Sequence, residues 1–117
     1  MRLDVTDFDT DPATLAARQK ALKAKPWISK LRWREYKCVP RKLLTGKYAV
    51  VFSTENNRRF AECRRHATGE ECPANARGLF CYHIAAAYRH HVRHARRLAG
   101  KERTICQQAK APNQPVG

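Results

Sequence analysis

The sequence has no long apolar run. Its longest uninterrupted stretch is five residues, as at Ile84–Tyr88, so no segment reads as a membrane-spanning helix, which needs about 20. The amino-terminal MRLDVTDFD is acidic and carries no apolar stretch of the kind a secretory signal requires. A cytoplasmic chain is therefore expected, and in a reducing compartment its five cysteines read as metal ligands or free thiols, not disulfides. There is no internal repeat, no Ser–His–Asp set and no glycine loop of the kind that cradles phosphates. No enzyme class is indicated by what remains.

Acids are also scarce. The chain has 24 Lys+Arg against 10 Asp+Glu in 117 residues, a formal charge of +14. Four of the acids (Asp4, Asp7, Asp9, Asp11) and one base fall in residues 1–11, which carry −3, so residues 12–117 carry 23 minus 6, or +17. Such a charge says little about fold, but it points to a polyanionic partner: nucleic acid, an anionic membrane surface or an acidic protein. With 43% hydrophobic residues the chain is not expected to be disordered throughout. Its core will nevertheless be small for one domain, and something besides apolar burial must support it.

The length suits a single α+β domain with tails. Residues 1–10 read as a flexible acidic arm. Thr10 or Asp11 can cap a helix that starts at Pro12, runs through ATLAARQKALKAK and ends at Pro26, with Leu15 and Leu22 as its apolar stripe. Residues 27–39 alternate as one strand, with a bulge near Glu35 where Tyr36 and Cys38 break phase. Leu43-Leu44-Thr45-Gly46 is a connection. Lys47–Ser53 (KYAVVFS) is the strongest strand; Asn56 and Asn57 mark a turn, and Arg59–Arg64 returns as the second strand of a hairpin. Residues 64–80 read as loop. Tyr82–Ala99 reads as a long helix with Ile84, Tyr88, Val92 (or His91), Ala95 and Leu98 on its inner face and Gly100 at its cap. Residues 101–117 are expected to be a disordered tail.

The chemistry is concentrated in Cys63-Arg-Arg-His66-Ala-Thr-Gly-Glu-Glu-Cys72-Pro-Ala-Asn-Ala-Arg-Gly78-Leu-Phe-Cys81-Tyr-His83. Three cysteines and two histidines fall within 21 residues. Zn²⁺ takes four N or S donors in a tetrahedron, and a site closed by four such ligands is structural. Residues two apart do not share a face of a regular helix, so Cys81 and His83 can act together only where the backbone is still turning into one. Cys38 reads as a strand residue outside the cluster, and Cys106 as a free thiol in the tail.

The segment Cys72-Pro-Ala-x-x-x-Gly78-x-x-Cys81-Tyr-His83-Ile-Ala-Ala-Ala resembles the C-terminal half of a SWIM-type zinc finger, whose pattern is Cys-x-Cys, a variable gap, then Cys-x-His leading into a helix, preceded by a β-hairpin. The resemblance covers about residues 46–95. It implies a small zinc-stabilised ββα unit, hairpin plus long helix, to which the sequence adds an N-terminal helix and strand, all within one zinc-binding domain at 11–100. Cys72 matches the family's second cysteine, but the position two before it is Glu70. The remaining ligand is assigned to Cys63, which keeps the three-Cys, one-His charge; His66 is the alternative and Glu70 a weaker oxygen donor.

Basic residues crowd around this unit. Arg89, Arg93 and Arg97 recur at intervals of four on the helix with Arg96 beside them; Arg58, Arg59, Arg64 and Arg65 sit on the hairpin; Arg32 and Arg34 sit on the preceding strand with Trp33 and Tyr36 between and after them. Aromatics interleaved with cations suit phosphate contact and base stacking. His90 and His94 read as part of that basic face, not as a second metal site. The expected function is a zinc-binding, nucleic-acid-binding accessory protein that acts on DNA, and not an enzyme. The alternative is an adaptor that docks an acidic protein in a DNA-processing complex, with the acidic arm competing for the same face.

Overall fold

The computed structural model describes residues 1–41 and 46–110, with side chains as far as Arg97. The chain folds as α+β around a five-stranded antiparallel sheet. In chain order the elements are β1 (Leu3–Asp4), a 3₁₀ turn (Pro12–Thr14), α1 (Leu15–Ala24), β2 (Trp27–Arg32), β3 (Glu35–Val39), β4 (Tyr48–Glu55), β5 (Arg58–Arg65), α2 (Pro73–Ala76) and α3 (Tyr82–Lys110). The spatial order is β1-β5-β4-β3-β2, so β2 and β1 form the two edges.

The β4–β5 hairpin is where KYAVVFS places it, and Asn56 and Asn57 make its turn with φ of 52° and 65°, the left-handed values that a two-residue hairpin turn requires. Alternation then separates the faces. Tyr48, Val50 and Phe52 of β4, with Ala61 and Cys63 of β5, point inward and are buried. α3 covers this inner face, with Ile84, Ala87 and Tyr88 in the core, and α1 packs against α3.

Several expectations change. Residues 1–10 are not a flexible arm: Leu3 and Asp4 pair with Ala61 and Phe60, and Val5 and Phe8 are buried. Phe8 packs on Tyr88 with ring centroids 4.6 Å apart and edge-on to Phe80 at 5.8 Å. The acids that suggested an arm alternate with apolar residues that do not titrate, and charge counting overlooks those. Residues 27–39 form a hairpin, not one strand. The chain reverses at Trp33-Arg34, where Arg34 has φ of 67°, and the register slips between Lys30 and Arg32. The phase break at Tyr36 and Cys38 is thus a reversal plus a bulge at Leu31, with no Asn-Gly to announce it.

Asp11 is the residue that caps the first helical turn, its carboxylate accepting from the Ala13 amide at 2.9 Å. Leu15 and Leu22 are exposed, and Ala17 is the α1 residue buried against the core, because small residues let α1 lie close to α3. The expected loop at 64–80 contains an Arg64–Glu71 bridge and the single turn α2. α3 does not stop at Gly100; it runs through to Lys110, so residues 101–110 are helical instead of tail. Ala95 is exposed on it. Residues 111–117, most of the expected 43–46 connection, and the side chains of Leu98 and Cys106 lie outside the described residues. No helix among the described residues is long and apolar enough to cross a membrane.

Candidate metal centre

The site begins on β5. Strand alternation turns Cys63 inward while Arg64 faces out. The chain then reverses tightly: Arg65 N–H donates to the Glu70 carbonyl at 2.7 Å and Gly69 N–H to the Arg65 carbonyl at 2.9 Å. Gly69 sits at φ 76°, a conformation open to glycine at no steric cost. This turn carries Cys72 back beside Cys63, where the Cys72 amide donates to the Cys63 carbonyl at 3.1 Å. Pro73 opens α2, a proline position that costs no hydrogen bond. A second reversal at Gly78, φ 75°, delivers Cys81 to the entrance of α3 and His83 to its first turn.

Cys63, Cys72, Cys81 and His83 converge, with all four donor atoms within 4.8 Å of one another. His83 Nδ1 lies 3.8 Å from both Cys63 Sγ and Cys72 Sγ. A tetrahedral zinc with bonds of about 2.3 Å to sulfur and 2.0 Å to nitrogen would place such pairs about 3.6 Å apart. The four residues are buried, at 0%, 3%, 6% and 6% exposed in chain order. That burial leaves the protein's own side chains as the donors. The arrangement can hold a metal ion, and its sulfur-rich character suits a borderline-soft one. His66, the alternative ligand, is exposed and outside the cluster, as is Glu70.

The local electrostatics are those of three thiols competing for few protons. Cys72 is held well below the ordinary thiol value, chiefly because the Cys63 and Cys81 thiols favour its thiolate, with His83 adding to the effect. Cys63 is pushed far up by the same contacts to Cys72 and Cys81 and by burial. At Cys81 the Cys63 contact pulls down, but Cys72 and burial outweigh it, leaving the thiol at about 12. The metal-free cluster therefore retains protons on Cys63 and Cys81, and a bound metal ion must displace them. The backbone amides of Asn75 and Ile84 favour the thiolates of Cys72 and Cys81, so two helix entrances direct N–H dipoles at sulfur. Cys38 is a buried β3 residue outside the donor set, raised to about 12 by burial and by the nearby Cys81 and Cys72.

Three supporting residues escaped the sequence reading. Asn75 is fully buried, and its Oδ1 accepts from the Cys63 amide at 3.1 Å. Its signal was an Asn three residues after Cys72, inside a turn opened by proline. Tyr48 stacks on His83 at 3.9 Å and 21° between planes, and Tyr82 tilts against it at 4.1 Å. Together they fix the imidazole plane.

The ten arginines named as nucleic-acid contacts fall into paired and unpaired sets. On the outer sheet face Arg32 pairs with Glu35 at 3.1 Å, Arg58 with Asp4 at 2.5 Å, and Arg64 with Glu62. Arg2 pairs with Glu55 at 2.8 Å on the same face. Arg59 donates to the Thr6 carbonyl at 3.1 Å, Arg34 to Thr54 Oγ1 at 3.2 Å, and Arg65 lies over Tyr48. Arg89, Arg93 and Arg96 line a cleft of about 830 Å³ between α1, the start of β2 and α3; Arg97 is exposed beside them. Among the described residues none of Arg34, Arg59, Arg65, Arg89, Arg93, Arg96 and Arg97 forms an ion pair. Arg18 and Lys25 of the α1 side join the cleft, and Asp9 is its one carboxylate.

No family model, curated protein or solved structure matches the chain.

Proposed function

We propose that this chain is a zinc-stabilised nucleic-acid-binding accessory protein, with DNA its polymer and no catalytic role. Cys63, Cys72, Cys81 and His83 hold the zinc in a SWIM-like finger made of the β4–β5 hairpin and the start of α3. Four protein donors fill a tetrahedron, which favours a structural over a hydrolytic zinc.

The observation that carries the nucleic-acid half is the segregation of charge. The sheet's outer arginines are matched by carboxylates, whereas the helical side gathers Arg18, Lys25, Arg89, Arg93 and Arg96 around Asp9 alone. Like charges held together in one cleft repel, and a polyphosphate relieves that repulsion while releasing its own counterions.

The test is fluorescence anisotropy with a labelled DNA across a salt series. Binding should weaken steeply with salt, and Arg93→Glu/Arg96→Glu should lower affinity by at least tenfold while leaving zinc content and the thermal transition intact. Both positions are exposed, so folding does not depend on them. Affinity independent of salt and of the double substitution would refute the reading and favour the acidic-protein adaptor.

A further inference from the structure

The chain has two tryptophans, and both lie in the open. Trp27 is 55% and Trp33 50% exposed. They bracket β2, the edge strand, at its first residue and just past its last. Six residues of strand separate them by about 20 Å. Each indole keeps cations near it: the Arg41 guanidinium lies 4.6 Å from the Trp27 ring, and Lys30 and Arg34 lie 5.1 and 5.9 Å from Trp33. Both border the helical side. Trp27 lines the cationic cleft, and Trp33 leans on His91 and His94 of α3 at 5.6 and 5.9 Å.

What sets these two residues apart from the other exposed apolar side chains is an aromatic face with cations beside it, the combination on which a base can stack. Here the chain places cations at both rings and lines the cleft beside Trp27 with Arg89, Arg93 and Arg96 of α3. Duplex DNA offers phosphates to such a surface but no free base faces. A single strand offers both, and base stacking on aromatics beside a cationic track is the general physics of single-strand recognition. From this arrangement, and resting on the nucleic-acid reading above, we infer that the cleft and edge strand β2 bind single-stranded DNA, with Trp27 and Trp33 as base-stacking platforms and Arg18, Lys25, Arg89, Arg93 and Arg96 as phosphate contacts.

Because these are the chain's two tryptophans, intrinsic fluorescence reports on the two platforms directly. The experiment titrates the zinc-loaded full-length protein with dT20, a 20-base-pair duplex and rU20, following tryptophan emission and anisotropy in parallel. The dT20 titration should quench emission and bind more tightly than the duplex. Trp27→Ala and Trp33→Ala should each weaken dT20 binding by about 5- to 150-fold and leave duplex binding unchanged. Trp33→Phe and Trp27→Phe should retain most of the affinity, since a stacking ring remains. The log–log salt slope should approach −3.5 if all five cleft cations engage, at about −0.7 each on a single strand.

Duplex binding as tight as dT20 binding, without quenching, would overturn this inference and leave the nucleic-acid reading standing. Binding to neither would overturn both. Tighter binding and stronger quenching by rU20 would overturn the assignment to DNA. Emission already shielded in the free protein, with sedimentation showing a dimer, would assign the two rings to a second copy of this chain and overturn the inference.

Discussion

Removing the metal ion is the perturbation with the largest expected effect. The donors belong to three segments: Cys63 on β5, Cys72 at the entrance of α2, and Cys81 with His83 at the entrance of α3. One ion held by these donors would therefore tie the sheet to the helix that covers it. Structural zinc sites contribute about 10–16 kcal/mol of binding free energy in small zinc-finger peptides, and a domain of this size nets only about 5–15 kcal/mol of stability in total. Losing even half of the lower figure, at about 4 °C per kcal/mol, lowers the melting temperature by about 20 °C. Chelation should thus abolish the cooperative thermal transition or shift it down by at least that much. Native mass spectrometry and circular dichroism read the two halves of the claim. The purified protein should carry one zinc; Cys63→Ser should lose it, and His66→Ala should keep it with a melting temperature within about 2 °C, as exposed substitutions do. Zinc uptake by the metal-free protein should release protons, because Cys63 and Cys81 sit above their ordinary thiol values. A chelated protein that melts cooperatively within a few degrees of the zinc form, or zinc retained by Cys63→Ser, would refute the reasoning.

Three smaller perturbations probe the parts that support the site. Asn75→Ala leaves the buried Cys63 amide without its acceptor, a loss of about 1–3 kcal/mol; calorimetry should show a drop of about 4–12 °C, and no change would remove Asn75 from its supporting role. Phe8→Ala should cost about 3–5 kcal/mol in urea denaturation, whereas an arm free in solvent would cost under about 0.5. Asp4 is held down at about 2, first by the Thr6 hydroxyl and amide and then by Arg58. Since its folded value lies below the ordinary 3.8, its contribution is complete above about pH 4 and disappears as pH falls through about 2. Between pH 5 and 2 the urea midpoint of the native protein should therefore fall more steeply than that of Asp4→Asn, and parallel profiles would refute the Asp4–Arg58–Thr6 contact.

The elements legible in the sequence are those where a local signal and the tertiary environment agree. KYAVVFS with Asn56-Asn57 behind it states both strand and turn. The Cys72, Cys81 and His83 spacing places three donors around two chain reversals, at Gly69 and Gly78, that the glycines mark. The elements that were illegible have signals that cancel. At Trp33-Arg34 the turn residues are ones that avoid positive φ, and the tight reversal is held from elsewhere, by Phe52 donating its amide to the Arg34 carbonyl at 2.8 Å. Val5 and Phe8 are single apolar residues among four aspartates, and nothing local distinguishes a core anchor from an exposed one. The arginines illustrate the same limit for function. Residue spacing shows that the helix carries a basic stripe, but only cross-strand register reveals that Arg58 stands beside Asp4.

The metal centre and the cleft are joined by one rigid element. His83 lies in the first turn of α3, and Arg93 follows ten residues later, about 15 Å along the same helix axis. An ion bound there would therefore set the direction of the cleft arginines without touching them. On the functional reading proposed above, this makes zinc and single-stranded DNA linked ligands, and linkage is reciprocal: the factor by which zinc tightens DNA binding must equal the factor by which DNA tightens zinc binding. Chelator competition with and without saturating dT20 measures one arm, and anisotropy with and without zinc measures the other. Charge alone is a poor readout, since an unfolded chain of +14 still attracts phosphates. Tryptophan quenching separates the cases, because it needs Trp27 and Trp33 held on β2 beside the cleft. Metal-free protein should bind dT20 more weakly and with its quenching lost. Equal affinity and equal quenching in both forms would show that the cleft is built without the ion, and would break the connection between the two sites.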